Sequence, residues 1–143
     1  MSEGELMGYE FFEHTADVGV RVYGKNLPEL FNNAAKGLAD LLVEQGAIQE
    51  AQRRPIVLTA SSVEELLQRW LKELLFWFSV DRFLPASCLF DLISAQELKG
   101  VVRGDIFDLR RHAPGTEVKG VTRHQFSVEL RDGRWEASVI FDV

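Results

Sequence analysis

Three groups that can exchange protons or bind a cation lie within five residues near the start of the chain. They are the carboxylates of Glu13 and Asp17 and the imidazole of His14. The run predicts an irregular loop between two strands, and loops that a rigid sheet positions commonly carry functional side chains. The alternative is local: Asp17 would bond nearby backbone N–H groups in an Asx turn, and His14 would fill a polar niche.

A second group of oxygen atoms lies at Ile140–Val143. The alternation of the last strand places Asp142 on one face with Ile140, opposite Phe141. The side chain and carbonyl of Asp142 and the carboxylate of Val143 offer several oxygens within two residues, the kind of ligand that Ca²⁺ and Mg²⁺ prefer. A carboxylate from another loop, such as Asp17, would complete a small metal site. The alternative is an ordinary solvated strand end.

Basic residues concentrate in two short segments of an otherwise acidic chain, Arg110-Arg111-His112 and Lys119–His124. One interpretation is a strip that contacts an anion or RNA, with Arg110, Arg111, Lys119 and Arg123 as its cations. The alternative is the solvated face of a strand pair. No aromatic side chains interleave with the cations, as a stacking platform for bases requires.

Motifs of nucleophilic and nucleotide-dependent catalysis are missing from the sequence. There is no glycine-rich phosphate loop, no HExxH motif and no serine in a nucleophile elbow. Cys88 lies in an apolar stretch and is expected to be a small buried hydrophobe. A hydrolase built on His14, Asp17 and His124 would lack a convincing nucleophile.

Length and composition predict a single globular domain spanning residues 1–143. The hydrophobic fraction is 46%, and the formal net charge is −6. An acidic balance argues against a protein that holds phosphate backbones unaided. One cysteine, an acidic start and no long apolar run predict a reduced, cytoplasmic chain with no signal peptide and no membrane span.

Two helices are predicted from apolar periodicity and capping residues. The first follows Asn26 and Pro28 and runs to about Val43, with Gly46 as a stop signal. The second follows a capping box in which Glu65 reaches back to Ser62. Its last turn, Phe76-Trp77-Phe78, is apolar nearly all round and is expected to lie in the core, or else to form a partner surface.

Strands account for most of the remaining chain. Alternation predicts strands at Tyr9–Phe12, Val18–Tyr23 and Arg54–Ala60, a pair at Cys88–Ala95 and Leu98–Phe107, and a strand over Val118–Leu130. Asp132-Gly133 predicts a two-residue hairpin into a last strand. The fold class is therefore α+β, with two long helices packed on a largely antiparallel β-sheet.

The sequence resembles the archease family over essentially the whole chain, in order. The similarity rests on Glu13–Gly19, Leu27–Ala35, Glu64–Leu75, Arg111-His112, Val118–His124, Trp135 and Val139–Val143. Gly120 and Arg123 depart from the family pattern, which has a small residue such as alanine and an aromatic such as tyrosine there.

The resemblance implies a non-catalytic activator of the RtcB-type tRNA-splicing ligase. Such proteins promote guanylylation of the ligase's active-site histidine, sustain its turnover and can broaden its nucleotide use. They carry a divalent metal site, assigned as calcium in some members, with magnesium or manganese as alternatives. Matching the motifs places the ligands on Asp17, Asp142 and Val143, and tRNA contact would be indirect.

Two hypotheses for the metal are compatible with the sequence. The ion could be organised for, or passed to, the ligase's metal site and so help GTP to react. It could equally fasten the C-terminal strand in place. An RNA-binding module, or a chaperone-like protein that uses Phe76-Trp77-Phe78, remains an alternative to ligase activation.

Overall fold

The computed structural model describes residues 2–14 and 17–143, without the side chain of His14. These residues contain three helices: α1 Glu3–Met7, α2 Leu27–Leu42 and α3 Val63–Asp81. The strands in chain order are β1 Tyr9–His14, β2 Asp17–Gly24, β3 Val43–Gln45, β4 Gln52–Thr59, β5 Phe83–Ile93, β6 Glu97–Ile106, β7 Ala113–Pro114, β8 Gly120–Val121, β9 Ser127–Arg131 and β10 Arg134–Asp142.

The α+β class and the two long helices agree with the sequence, but the strands do not form one sheet. Within the described residues they form three, and every strand pair is antiparallel. The first has the order β1-β2-β10-β8, with β9 also on β10; the second is β4-β6-β5; the third is the pair β3-β7. The sequence analysis did not predict the β3-β7 pair or the short helix α1, although α1 begins at a Ser2 cap and ends at a left-handed Gly8.

Both long helices begin at the predicted caps. The Asn26 side chain accepts a hydrogen bond from the N–H of Glu29 at 2.9 Å, and Ser62 Oγ accepts one from the N–H of Glu65 at 3.2 Å. The second half of the capping box differs from the prediction, since Glu65 binds the hydroxyl and N–H of Ser61 and not the N–H of Ser62. α2 ends at Leu42, and Gly46 follows the short strand β3.

Helix α2 joins the two larger sheets into one core, because it contacts β2 of the first sheet and β5 of the second. Asn32 fixes the second contact: its side chain accepts from the N–H of Cys88 at 2.8 Å and donates to the Cys88 carbonyl at 3.0 Å. Trp70 of α3 is fully buried and donates its indole N–H to the Phe31 carbonyl at 2.9 Å. Two-way hydrogen bonds and a buried indole donor fix the relative positions of these elements.

The predicted strand over Val118–Leu130 is wrong as a continuous element. Five residues separate Val121 of β8 from Ser127 of β9, whereas only two separate their partners Ser138 and Phe141 on β10. The extra residues cannot follow the ladder, so the chain turns at His124-Gln125, with Gln125 at φ 51°. The alternation in this stretch therefore does not set which face each residue occupies.

The end of α3 is only partly buried, contrary to the expected core position of its last turn. Trp77 and Phe78 pack against the core, whereas Phe76 is 58% exposed and Val80 is 66% exposed. No helix among the described residues is long and apolar enough to span a membrane.

Candidate metal site and its surroundings

Asp17 and Asp142 stand directly opposite each other. Asp17 is the first residue of β2 and Asp142 the last of β10, and the two are Cα partners in the antiparallel ladder. Side chains of such partners project from the same face with Cβ atoms about 5 Å apart. The structure therefore brings together the two carboxylates that the sequence placed at opposite ends of the chain.

The backbone on either side of Asp142 leaves room at this position. On its other side, Asp142 pairs with Gly120 of β8, and a Cβ atom added at Gly120 would meet no described atom within 4 Å. Asp142 itself is exposed and Asp17 is half-buried. The two carboxylates thus lie at an accessible end of these paired strands, with open space on the β8 side.

The main-chain oxygens at this end are partly committed. The Asp142 carbonyl accepts a hydrogen bond from the N–H of Lys119 at 2.7 Å, which leaves one of its two lone pairs for another partner. Val143 is half-buried and packs against the core, so its backbone is held beside the pair. Nearby, Thr122 donates its N–H to the Ile140 carbonyl at 3.0 Å, while its buried hydroxyl has no hydrogen-bond partner among the described residues.

These residues can contribute to a cation site but do not enclose one. Across the described residues, no group of three or more His, Cys, Asp or Glu side chains is arranged to hold a metal ion. Two carboxylates and nearby main-chain oxygens are hard ligands of the type that Ca²⁺ and Mg²⁺ bind. The donor set fits an oxygen-bound divalent cation whose remaining ligands come from water or from a partner.

The predicted loop at residues 13–17 is shorter than expected. Glu13 and His14 belong to β1, and Asp17 begins β2, with His14 and Asp17 as Cα partners. Thr15, Ala16 and the side chain of His14 lie outside the described residues. Asp17 is therefore positioned by a strand and not by a flexible loop.

Among the described residues, the structure adds no nucleophile to the His14, Asp17 and His124 group that was considered for a hydrolase. His124 is exposed in the turn between β8 and β9 and has interactions of its own. Cys88 is buried on β5, and burial raises the pKa of its thiol to about 12. The thiol stays protonated near neutral pH, as expected for a small core residue.

The cations of the predicted basic strip lie in separate segments of the chain. Arg110 and Arg111 lie in the loop between β6 and β7, Lys119 precedes β8, and Arg123 is in the following turn. Arg111 is committed to Asp105 through two hydrogen bonds, from Nη1 to Oδ2 at 2.8 Å and from Nη2 to Oδ1 at 3.0 Å. Arg111 is thus already engaged within the protein, and RNA contact through the four cations stays a prediction.

Sequence reasoning missed a buried polar cluster around Asp105. Its carboxylate also accepts the N–H groups of Gln49 at 3.2 Å and Ile106 at 2.9 Å. The hydrogen bonds from Arg111, followed by those from the backbone, lower the pKa of Asp105 to about 2 despite its burial. Asp105 is one of four charged residues in β6, so the local sequence did not single it out.

His112 completes this cluster as a structural residue. It is 3% exposed, its Nδ1 accepts the N–H of Asp108 at 3.0 Å, and its Nε2 lies 3.0 Å from the Ala47 carbonyl. Because Nδ1 accepts a hydrogen bond, the hydrogen of the neutral ring is on Nε2, which donates to Ala47. The cluster thereby fixes residues 47–49 against the loop that follows β6.

Comparison with known proteins gives one consistent result. The model of the Archease protein family (MTH1598/TM1083) matches residues 9–143. "Protein archease" of Methanosarcina acetivorans is 34% identical over 139 residues, covering 94% of this chain and 95% of that protein. "Protein archease" of Saccharolobus islandicus is 36% identical over 141 residues, covering 96% and 100%.

Two solved structures share the fold. The solution structure of protein 1598 of Methanobacterium thermoautotrophicum superposes with a TM-score of 0.82 at 31% identity, covering 96% of this chain and 99% of that one. The crystal structure of an archease from Thermotoga maritima, described as a possible chaperone, gives a TM-score of 0.62 at 22% identity, covering 92% and 94%. The second likeness concerns the fold alone.

Proposed function

Because this chain belongs to the archease family, we propose that it activates an RtcB-type tRNA-splicing ligase in the cytoplasm through a divalent cation held at Asp17 and Asp142. In this proposal the chain itself catalyses nothing. The ligase is its direct partner, and contact with tRNA is indirect. The observation that carries the proposal is the register of β2 and β10, which places two distant carboxylates side by side.

The side chains of Asp17 and Asp142, with main-chain oxygens of Val143, would hold the cation. Calcium suits an irregular oxygen site with exchangeable positions, and magnesium or manganese are the alternatives. When bound, the cation would supply positive charge that phosphate groups at a ligase active site can use. The contribution of the chain itself is to position these oxygen ligands.

Position is set by the core beneath the strands. Phe141 and Val139 of β10 are 1% exposed, and both belong to the same core cluster as Val20 of β2. Because β10 is paired on both edges, the backbone at Asp142 cannot shift without breaking two ladders. The pair thus lies on rigid strands at an accessible end of the sheet, which suits docking onto another protein.

Multiple-turnover RNA ligation tests the proposal. An RtcB-type ligase, from the same organism where it exists, is assayed with RNA ends, GTP and a divalent metal, with and without this protein. We expect ligated product per ligase molecule to rise from about one to many, and this protein alone to ligate nothing. Unchanged turnover of a functional cognate ligase would refute activation.

Substitutions separate cation use by the ligase from simple fastening of β10. Asp17→Asn and Asp142→Asn remove the charges while keeping the side-chain volume, and Asp132→Asn in the β9-β10 turn is the matched control. Asparagine is favoured at that turn position, which has φ 51°. The proposal requires the first two variants, folded as shown by circular dichroism, to lose activation and the control to keep it. Full activation by both site variants would leave the metal a structural role only.

A chaperone-like role is the second candidate, and the exposed end of α3 is the observation that favours it. Phe76 and Val80 lie four residues apart on one helix face and are both largely exposed. A hydrophobic dye should then bind the native protein, and Phe76→Ser/Val80→Ser should abolish that binding. Absence of dye binding would dismiss this candidate.

A further inference from the structure

A large cleft lies between the last turns of α3 and the segment that follows β6, and none of its lining residues is Asp17 or Asp142. Its volume is about 1060 Å³. The floor is apolar and is formed by Leu42, Leu75, Phe78, Ile106, Phe107 and Val118. A cleft of this size and lining is typical of a site that receives another molecule.

The aromatic rings in the cleft are not arranged to hold a flat base. Phe78 and Phe107 meet edge to face, with ring centroids 6.3 Å apart. Phe107 is stacked on His112 at 5.6 Å, and the guanidinium of Arg82 covers Phe78 at 5.0 Å. These three contacts can occupy up to three of the four faces of the two rings, so the floor offers mainly ring edges and aliphatic surface. Such a surface suits aliphatic side chains better than nucleobases, which bind by stacking.

Cations stand on the rim of this floor. The side chain of Arg110 is 90% exposed and pairs with Asp108, with Nε 3.3 Å from Oδ1. Within the described residues, Arg82 forms no ion pair and keeps its guanidinium over Phe78. Of the two lining carboxylates, Asp108 is engaged by Arg110 and Arg111, and Glu117 is exposed on the opposite wall. Because Arg111 is held by Asp105 and Asp108, the exposed charges that a partner can reach are two cations, Arg82 and Arg110, and one carboxylate, Glu117.

Arg82 also has a backbone conformation that is unusual for a residue other than glycine. It ends α3 in the left-handed conformation with φ 66°, a position that glycine normally occupies. The other non-glycine residues with positive φ among those described, Gln125 and Asp132, lie in turns between strands. An arginine at a strained backbone position, with its side chain lining a cleft, points to a role for that side chain.

We propose that this cleft docks an acidic, apolar segment of a protein partner. An aliphatic side chain of that segment lies between Leu75, Phe78 and Phe107, and its carboxylates pair with Arg82 and Arg110. Charge complementarity on the rim selects the acidic sequence, and the covered rings disfavour a nucleotide. The inference does not rest on ligase activation, since the docking chemistry is the same for any partner that carries such a segment.

Titration of the ¹⁵N-labelled full-length protein with defined probes tests it by NMR. The probes are a ten-residue peptide of alternating leucine and glutamate, the matched leucine–lysine peptide, and GTP. We expect the leucine–glutamate peptide to shift the backbone amides of Arg82 and of residues 106–118, and the other two probes to leave them unchanged. Equal binding of the leucine–lysine peptide, shifts located elsewhere, or shifts caused by GTP alone would overturn the proposal.

Arg82→Gly sharpens the test because glycine accepts the same φ without strain. The variant should unfold at the same temperature as the parent or higher, yet bind the leucine–glutamate peptide about 3-fold more weakly, as expected for one partly exposed ion pair. Arg110→Gln should have a similar effect, and Lys36→Gln, an exposed cation on α2, should have none. Unchanged affinity in both arginine variants would contradict the assigned role of the rim.

Discussion

At the Asp17–Asp142 pair, two like charges face each other across a strand pair. Facing like charges destabilise a sheet by roughly 0.2–1 kcal/mol. The cost disappears when a cation lies between them. A substitution that removes one charge should therefore raise the free energy of unfolding without a divalent cation and lower it with one.

We therefore expect Asp142→Asn to raise the free energy of unfolding by up to about 1 kcal/mol in EDTA and to lower it in excess calcium. Urea unfolding under the two conditions measures this reversal. Asp132→Asn should show the same stability in both. If Asp142→Asn changed the free energy of unfolding in the same direction in EDTA and in calcium, the pair would not respond to calcium.

The buried carboxylate of Asp105 predicts that the free energy of unfolding falls in acid. Arg111 and two backbone N–H groups lower the pKa of Asp105 from 3.8 to about 2. A carboxyl whose pKa is lower in the folded state contributes stability above its unfolded pKa. That contribution is lost as the pH falls from about 4 to about 2, and amounts to ~2 kcal/mol.

Urea unfolding of the parent and of Asp105→Asn at pH 7, 4 and 2.5 measures this loss of stability in acid. The parent should lose stability over the acid range, and the variant should be less stable at pH 7 and less sensitive to acid. If both lose the same free energy between pH 4 and 2.5, another carboxyl is responsible.

Residues differ in how far the sequence reveals them. Asp17 and Asp142 were selectable because each sits among oxygen donors or titratable groups. The partnership of Asp105 with Arg111 and Gln49 was not, because it depends on a loop folding back onto the end of β6. Sequence distance carries no information on such a closure.

Among elements, those specified by local chemistry were predicted well. Helices α2 and α3 have a capping side chain and apolar periodicity within one segment, and the β9-β10 hairpin has its turn at Asp132-Gly133. The break between β8 and β9 was missed because it results from a difference in length between two paired segments. Alternation along one strand cannot report the length of its partner.

Two uncrowded glycines in this part of the sheet allow the effect of backbone strain to be measured by itself. Gly133 has φ 75°, and Gly120 has an ordinary φ; a methyl group at either position would meet no described atom within 4 Å. Gly133→Ala should lower the free energy of unfolding by ~1 kcal/mol through strain alone, whereas Gly120→Ala should change it little. Thermal unfolding of both variants measures the difference, and equal losses would contradict this assignment.

At the scale of the molecule, the α+β class follows from the composition of the segments, whereas the division into three sheets does not. That division depends on α2 packing between β2 and β5, which only the folded chain shows. The pairing of β2 with β10 brings the start of one strand to the end of the other. The strand topology thus brings together the two carboxylates that the sequence analysis had selected separately.

Calorimetric titration of calcium into the metal-free protein tests the central claim, that these facing carboxylates bind a divalent cation. We predict one site per chain, loss of binding in Asp17→Asn/Asp142→Asn, and unchanged binding in Asp132→Asn. Calcium at a hundred times its Kd should also raise the free energy of unfolding by about 2.7 kcal/mol. No binding of calcium, magnesium or manganese to the parent, or equal binding to the double variant, would contradict the account.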